Sequence, residues 1–146
     1  MENLISQLSH NYTSNLQSLL PFIINYKELD WKQYIRNTET YHKNLVFSNT
    51  EFELYVITWN KQQQTKIHNH ADFGCIMKVL IGTLEETLYD ANDFTIKETN
   101  TYETNDVSYI SNEKGYHTIF NKNKDEISVT LHLYSPINHT THFYPE

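Results

Sequence analysis

Lys66-Ile67-His68-Asn69-His70, followed by Gly74-Cys75-Ile76-Met77-Lys78-Val79-Leu80-Ile81-Gly82, is the stretch on which the reading of the fold turns. It sets two histidines one residue apart, then the chain's only cysteine at the head of a run of strand-forming residues that ends at a glycine. On a β-strand, residues i and i+2 point to one face, so His68 and His70 can present two imidazoles to one point in space. A third candidate, His117, stands in Gly115-Tyr116-His117. Three imidazoles would make a facial three-nitrogen metal site, and half of an octahedral coordination sphere would stay free for a substrate and dioxygen.

Around this stretch the chain divides by pattern. Apolar spacing up to about residue 37 is helical: Leu4, Ile5 and Leu8, then Leu16, Leu19, Leu20 and Ile23, then Trp31, Tyr34 and Ile35, with Ser14 and Asp30 as candidate N-caps. From Asn44 onward the chain breaks into short runs rich in Val, Ile, Thr, Tyr and Phe, among them Phe52 to Trp59, Cys75 to Leu80, Leu84 to Tyr89, Val107 to Ile110 and Ile127 to Tyr134. Polar clusters at Asn60 to Gln64, Asp90 to Asp93, Ser111 to Lys114 and Asn121 to Asp125 read as the turns between them. The pattern predicts a mainly β fold, an antiparallel sandwich or barrel behind a helical N-terminal segment. All three glycines, Gly74, Gly82 and Gly115, fall beside the suspected chemistry, where positive φ or close backbone approach is expected.

Length and charge exclude several functions. The chain has 146 residues, enough for one domain with a real core and short for two. A net charge of -7, with Arg36 the only arginine, provides no basic patch for a phosphate backbone, so nucleic acid is excluded as a partner. No apolar run reaches bilayer length, and the N-terminus does not read as a secretory leader. A single cysteine forms no internal disulfide, which fits a reducing compartment. A monomeric cytoplasmic protein without membrane contact is expected.

His-x-His alone arises by chance on exposed strands, and a lone buried cysteine is most often inert. The wider pattern carries more. His68-x-His70, Cys75, Gly82, Gly115-x-His117 and Asn121 follow the two motifs of the cupin barrels, with a thiol at Cys75 where the usual cupin has a metal-binding glutamate. Together with Tyr41-His42-Lys43-Asn44-Leu45-Val46 and Ser128-Val129-Thr130-Leu131-His132-Leu133-Tyr134-Ser135-Pro136, these motifs resemble, in order, the cysteine dioxygenase family of the cupin superfamily. The resemblance runs from about Tyr41 to Phe143. It implies a cupin-type antiparallel β-barrel, jelly-roll-like, over 41–146, with residues 1–40 packed on it as a helical segment of one domain. It also implies a non-haem Fe(II) enzyme that oxidises L-cysteine to cysteine sulfinic acid with O2. The iron ligands fall on His68, His70 and His117, and the cysteine and tyrosine of a thioether cross-link on Cys75 and Tyr134. His132 is implied to hydrogen-bond that tyrosine, and Tyr41 to be a second active-site tyrosine. A cis Ser135–Pro136 bond is implied as well, although any single X-Pro bond is usually trans.

The residue types suit this chemistry. Three neutral imidazoles leave the charge of a ferrous ion uncompensated, so an anionic thiolate is attracted to it. His132 and Tyr134 lie two apart on one strand face, so one can hold the other. His10, His42, His139 and His142 have no such context and read as surface or loop residues. The chain departs from the family at Lys43, where an arginine holds the substrate carboxylate. Lysine keeps the charge and loses the planar fork. Arg36 is a candidate substitute, Thr130 keeps the hydroxyl of the family's usual serine, and the stop at Glu146, soon after Tyr134, predicts a thinner pocket wall. The alternatives are a dioxygenase for another small thiol, of the 3-mercaptopropionate or cysteamine type, and a metal-binding cupin without turnover.

Overall fold

The computed structural model describes residues 1–35 and 41–144, and Arg36 lies outside them. Two antiparallel five-stranded sheets dominate. The strands are β1 (His42–Ser48), β2 (Glu53–Trp59), β3 (Ile67–His68), β4 (Cys75–Ile81), β5 (Leu84–Tyr89), β6 (Ile96–Tyr102), β7 (Val107–Ile110), β8 (Tyr116–Phe120), β9 (Ser128–Tyr134) and β10 (Phe143–Tyr144). One sheet has the order β1-β2-β9-β4-β7 and the other β10-β3-β8-β5-β6. The mainly β, cupin-type reading of the sequence is the observed fold class.

The central strands of the first sheet, β2, β9 and β4, are mostly buried and largely apolar because both faces of the sheet are covered there. Leu54 and Val56 of β2, Ile76 and Leu80 of β4, and Val129, Leu131 and Leu133 of β9 point away from the second sheet. They pack against Leu4 and Leu8 of α1 (Glu2–Asn11), Ile23 of α2 (Leu20–Asn25), and Leu16, Leu19 and Trp31 of two short 3-10 helices, Leu16–Leu19 and Asp30–Tyr34. Burial of each such side chain contributes about 1.5–3 kcal/mol, so this layer is a large part of the core. The alternate residues Ile57, Trp59 and Met77 turn to the opposite face, toward Leu84 and Ile119 of the second sheet.

The N-terminal caps differ from expectation. Asn15, not Ser14, caps the first 3-10 helix, accepting from the Gln17 N–H at 3.0 Å, while Ser14 has φ 63° and gives its hydroxyl to the Thr13 carbonyl. Asp30 is the first residue of the second 3-10 helix, after Leu29, and its carboxylate accepts from the Tyr26 hydroxyl. All three glycines have positive φ, and the Ser135–Pro136 peptide is cis. Gly115 is compelled twice over: φ is 107°, and a Cβ there would collide with the Tyr89 carbonyl oxygen. The turn it permits leads directly into β8 and His117. Among the described residues no helix is long and apolar enough to cross a membrane.

Candidate functional site

Cross-strand register brings the predicted residues together. His68 on β3 pairs directly with His117 on β8; β3 ends there, so His70 is not on the strand as the two-residue spacing suggests but two residues beyond its end, its backbone N–H donating to Asn112 Oδ1 at 2.8 Å. On the facing sheet Cys75 of β4 pairs with Tyr134 of β9, and Met77 pairs with His132. His68, His70, Cys75, His117, His132 and Tyr134, with Tyr41 and Lys43, line one cavity of about 200 Å³ between the sheets, room for a small molecule and not for a peptide.

The three imidazoles converge. Ring centroids of His70 and His117 are 4.1 Å apart, those of His68 and His117 4.5 Å, and those of His68 and His70 6.1 Å. His68 Nδ1 donates to the Lys66 carbonyl at 2.8 Å, and His117 Nδ1 donates to Glu86 Oε2 at 2.7 Å. Each ring therefore keeps its lone pair on Nε2, yet these two Nε2 atoms face each other at 2.9 Å. Two acceptors at that distance repel unless a positive centre lies between them. A divalent ion that holds two imidazole nitrogens at about 2.1 Å and right angles sets them about 3.0 Å apart. His70 Nε2 is buried and has no hydrogen-bond partner. Burial lowers the pKa of all three histidines below the ordinary value, strongly for His117, so they are neutral, as ligands must be. As they stand, no three His, Cys, Asp or Glu side chains among the described residues form a finished coordination shell. The donor set nevertheless fits a metal: two opposed lone pairs and an orphaned third nitrogen.

Glu86 is a residue that the sequence reading passed over. Only 2% exposed, it accepts from the Tyr102 hydroxyl at 3.0 Å through Oε1 and from His117 through Oε2. A carboxylate behind a ligating histidine fixes its tautomer and raises its basicity. A signal was present, since Glu86 occupies the inward position between Leu84 and Leu88 on β5, where a charge needs a partner.

The opposite wall carries the sulfur and the phenol. Cys75 is buried, and its thiol pKa is pushed up to about 12, chiefly by burial, against the pull of Lys43. It is therefore a neutral thiol in this pocket. His132 Nδ1 lies 2.9 Å from the Tyr134 hydroxyl and 3.8 Å from Cys75 Sγ. Burial raises the Tyr134 phenol well above its ordinary pKa and lowers that of His132, so both are neutral. Trp59 closes this wall by donating Nε1–H to Thr130 Oγ1 at 2.9 Å. Tyr41 packs edge-on against Trp59, with ring centroids 5.3 Å apart. Lys43 stands exposed at the mouth with its ammonium 4.4 Å from the Tyr55 ring centre and 4.8 Å from that of Tyr134. His139, set aside in the sequence, also lines the cavity, whereas His10, His42 and His142 do not.

The cysteine dioxygenase type I family model matches residues 3–146. The chain belongs to that family. Cysteine dioxygenase type 1 of Rattus norvegicus is 34% identical over 124 residues, which cover 80% of this chain and 62% of the relative. The Danio rerio protein of the same name is 31% identical over 140 residues, 90% of this chain and 64% of the relative. The chain thus spans less than two thirds of the length of these curated relatives. Solved structures show the fold. A double-stranded β-helix protein from Klebsiella pneumoniae aligns with TM-score 0.60 at 15% identity, covering 84% of this chain and 98% of that one. A cupin superfamily protein from Desulfitobacterium hafniense aligns with TM-score 0.58 at 11% identity, covering 76% and 92%. This member of the cysteine dioxygenase family therefore carries the cupin fold, with His68 and His117 on one sheet, His70 just beyond the end of β3, and the Cys75–Tyr134 pair on the other sheet.

Proposed function

We propose that the chain, as one cupin domain, is a non-haem Fe(II) thiol dioxygenase that oxidises L-cysteine to cysteine sulfinic acid, adding both atoms of O2 to the substrate sulfur. The observation that carries this reading is the meeting of His68, His70 and His117 with the Cys75–Tyr134 pair in one small cavity. Family membership supports it. His68, His70 and His117 would hold the iron. When bound, ferrous ion would supply a Lewis-acidic, redox-active centre that brings a small thiol and dioxygen together.

The chain's own residues do the rest. The Lys66 carbonyl and Glu86 hold the rings of His68 and His117 with their lone pairs inward. His132 orients the Tyr134 phenol, which stays protonated and can donate a hydrogen bond to the reacting groups. Lys43 gives the substrate carboxylate a cation, and Ile57, Trp59 and Met77 keep bulk water from the inner wall. We also propose that Cys75 and Tyr134 join in a thioether. An Sγ–ring carbon bond forms, the thiol and ring hydrogens are lost, and two electrons and two protons pass to dioxygen. The unpaired thiol suits a reducing compartment, so cytoplasmic action is part of the proposal.

The specific feature that favours a second reading is Lys43. A lysine in place of the family's arginine weakens two-point carboxylate recognition and opens the site to another small thiol. Oxygen uptake by Fe(II)-loaded protein, with the product identified by mass, tests both readings. One O2 consumed per cysteine sulfinate formed is the expected result. Uptake with 3-mercaptopropionate or cysteamine and not with cysteine moves the assignment to the second reading, and metal binding without any uptake overturns both.

A further inference from the structure

Lys43 offers a carboxylate one point charge from the mouth of the cavity and no second prong. A candidate for the missing contact is His139, on the stretch between the cis Pro136 and β10. It lines the same cavity as Lys43, Tyr41 and Tyr134. The residue is half-buried, but its Nε2 is shut away from water and has no hydrogen-bond partner. Buried polar atoms without partners are uncommon, and because the half-buried ring lines the cavity, a turn of the side chain brings this nitrogen to a ligand acceptor there. Lys43, Asp72, Glu53 and His142 all act on the ring electrostatically, yet none of them hydrogen-bonds this nitrogen.

We propose that His139 Nε2–H is a second carboxylate-binding donor, acting with the Lys43 ammonium to grip a small thiol carboxylate. The two groups come from different elements, β1 and the segment after β9, and together they approximate the two-point hold that a single arginine fork provides. The substrate class is then a thiol that bears a carboxylate, in preference to an amino thiol without one. This deepens the dioxygenase reading and rests on the same cavity.

The test compares L-cysteine with cysteamine, which keeps thiol and amine but lacks the carboxylate, on Fe(II)-loaded wild type, His139→Ala and His139→Gln. His139→Ala is expected to lower kcat/KM for L-cysteine about tenfold, through KM with kcat nearly unchanged, and to leave cysteamine unaffected. His139→Gln, which retains an N–H donor, recovers most of the loss. No loss, or equal losses on both thiols, overturns the proposal while the dioxygenase reading stands. Anaerobic calorimetric titration of the same two thiols reads the discrimination without turnover. If no thiol is oxidised, the dioxygenase reading fails, and the His139 assignment still depends on whether His139→Ala weakens binding of L-cysteine alone. Failure of both thiols to bind overturns it as well.

Discussion

Nε2 of His68 and Nε2 of His117 face each other at 2.9 Å while both Nδ1 positions are already committed, one to the Lys66 carbonyl and one to the Glu86 carboxylate. The backbone and a buried acid thus fix both tautomers and leave two lone pairs in opposition. A cation resolves that opposition, and the neutral state of both rings keeps them available for it.

Glu86 is accordingly expected to govern metal affinity without touching the metal. Glu86→Gln keeps the shape and removes the charge behind His117. Ferrous-ion affinity, measured by competition with a chelator, should fall about 10–100-fold. Unchanged affinity would mean that the carboxylate serves packing alone.

Cys75 and Tyr134, direct partners across β4 and β9, should lose two hydrogens on joining. Intact mass before and after aerobic incubation with Fe(II) and L-cysteine reads that loss, and Cys75→Ser should abolish it. The variant is expected to turn over more slowly but not to stop, because it leaves His68, His70, His117 and the Tyr134–His132 hydrogen bond in place. Complete inactivity would place Cys75 among the indispensable groups.

Much of this was legible in the sequence, for a physical reason. His132 and Tyr134 share a strand face by the two-residue period alone, whereas β3 ends at His68 and His70 comes to the site from just beyond that strand; the apolar runs of β2, β4 and β9 announce themselves because both faces of their sheet are covered. β6 did not announce itself. Its residues, Ile96 to Tyr102, are mostly exposed and polar, so neither burial nor alternation marks them. Glu86 and His139 were missed because their significance comes from partners, or the lack of one, contributed by distant strands. The cap at Asn15 was missed because Ser14 and Asn15 are both good cap residues, and only backbone geometry distinguishes them.

Lys43 predicts a pH effect. Desolvation at the pocket mouth lowers its pKa below the ordinary lysine value, with Cys75 and the Glu53 carboxylate acting in the opposite direction. The cation that attracts a carboxylate is lost as pH rises through that lowered value. The alkaline fall of kcat/KM for L-cysteine should therefore begin below the ordinary lysine range. Lys43→Arg, whose guanidinium stays charged, should move that limb upward relative to wild type on the same substrate. Superimposable alkaline limbs would remove Lys43 from carboxylate binding.

Lys78 predicts a stability effect separable from the chemistry. Its side chain leaves β4 on the face opposite Cys75 and Met77 and is fully buried. The ammonium donates to the carbonyls of Ile23, Ile24 and Tyr26 at 2.9, 3.1 and 2.6 Å. These carbonyls lie at the C-terminal end of α2, where a cation suits the helix dipole and the last carbonyls lack intrahelical partners. Lys78→Met retains most of the apolar stem and deletes the three donated bonds, so the Ile24 and Tyr26 carbonyls lose this donor while Ile23 keeps the Tyr26 N–H at 3.2 Å. Urea denaturation should show a loss of about 2–4 kcal/mol. Ferrous-ion affinity of the folded variant should match wild type, because none of these atoms faces the cavity. A variant as stable as wild type would show that the helical layer is held by its apolar contacts alone.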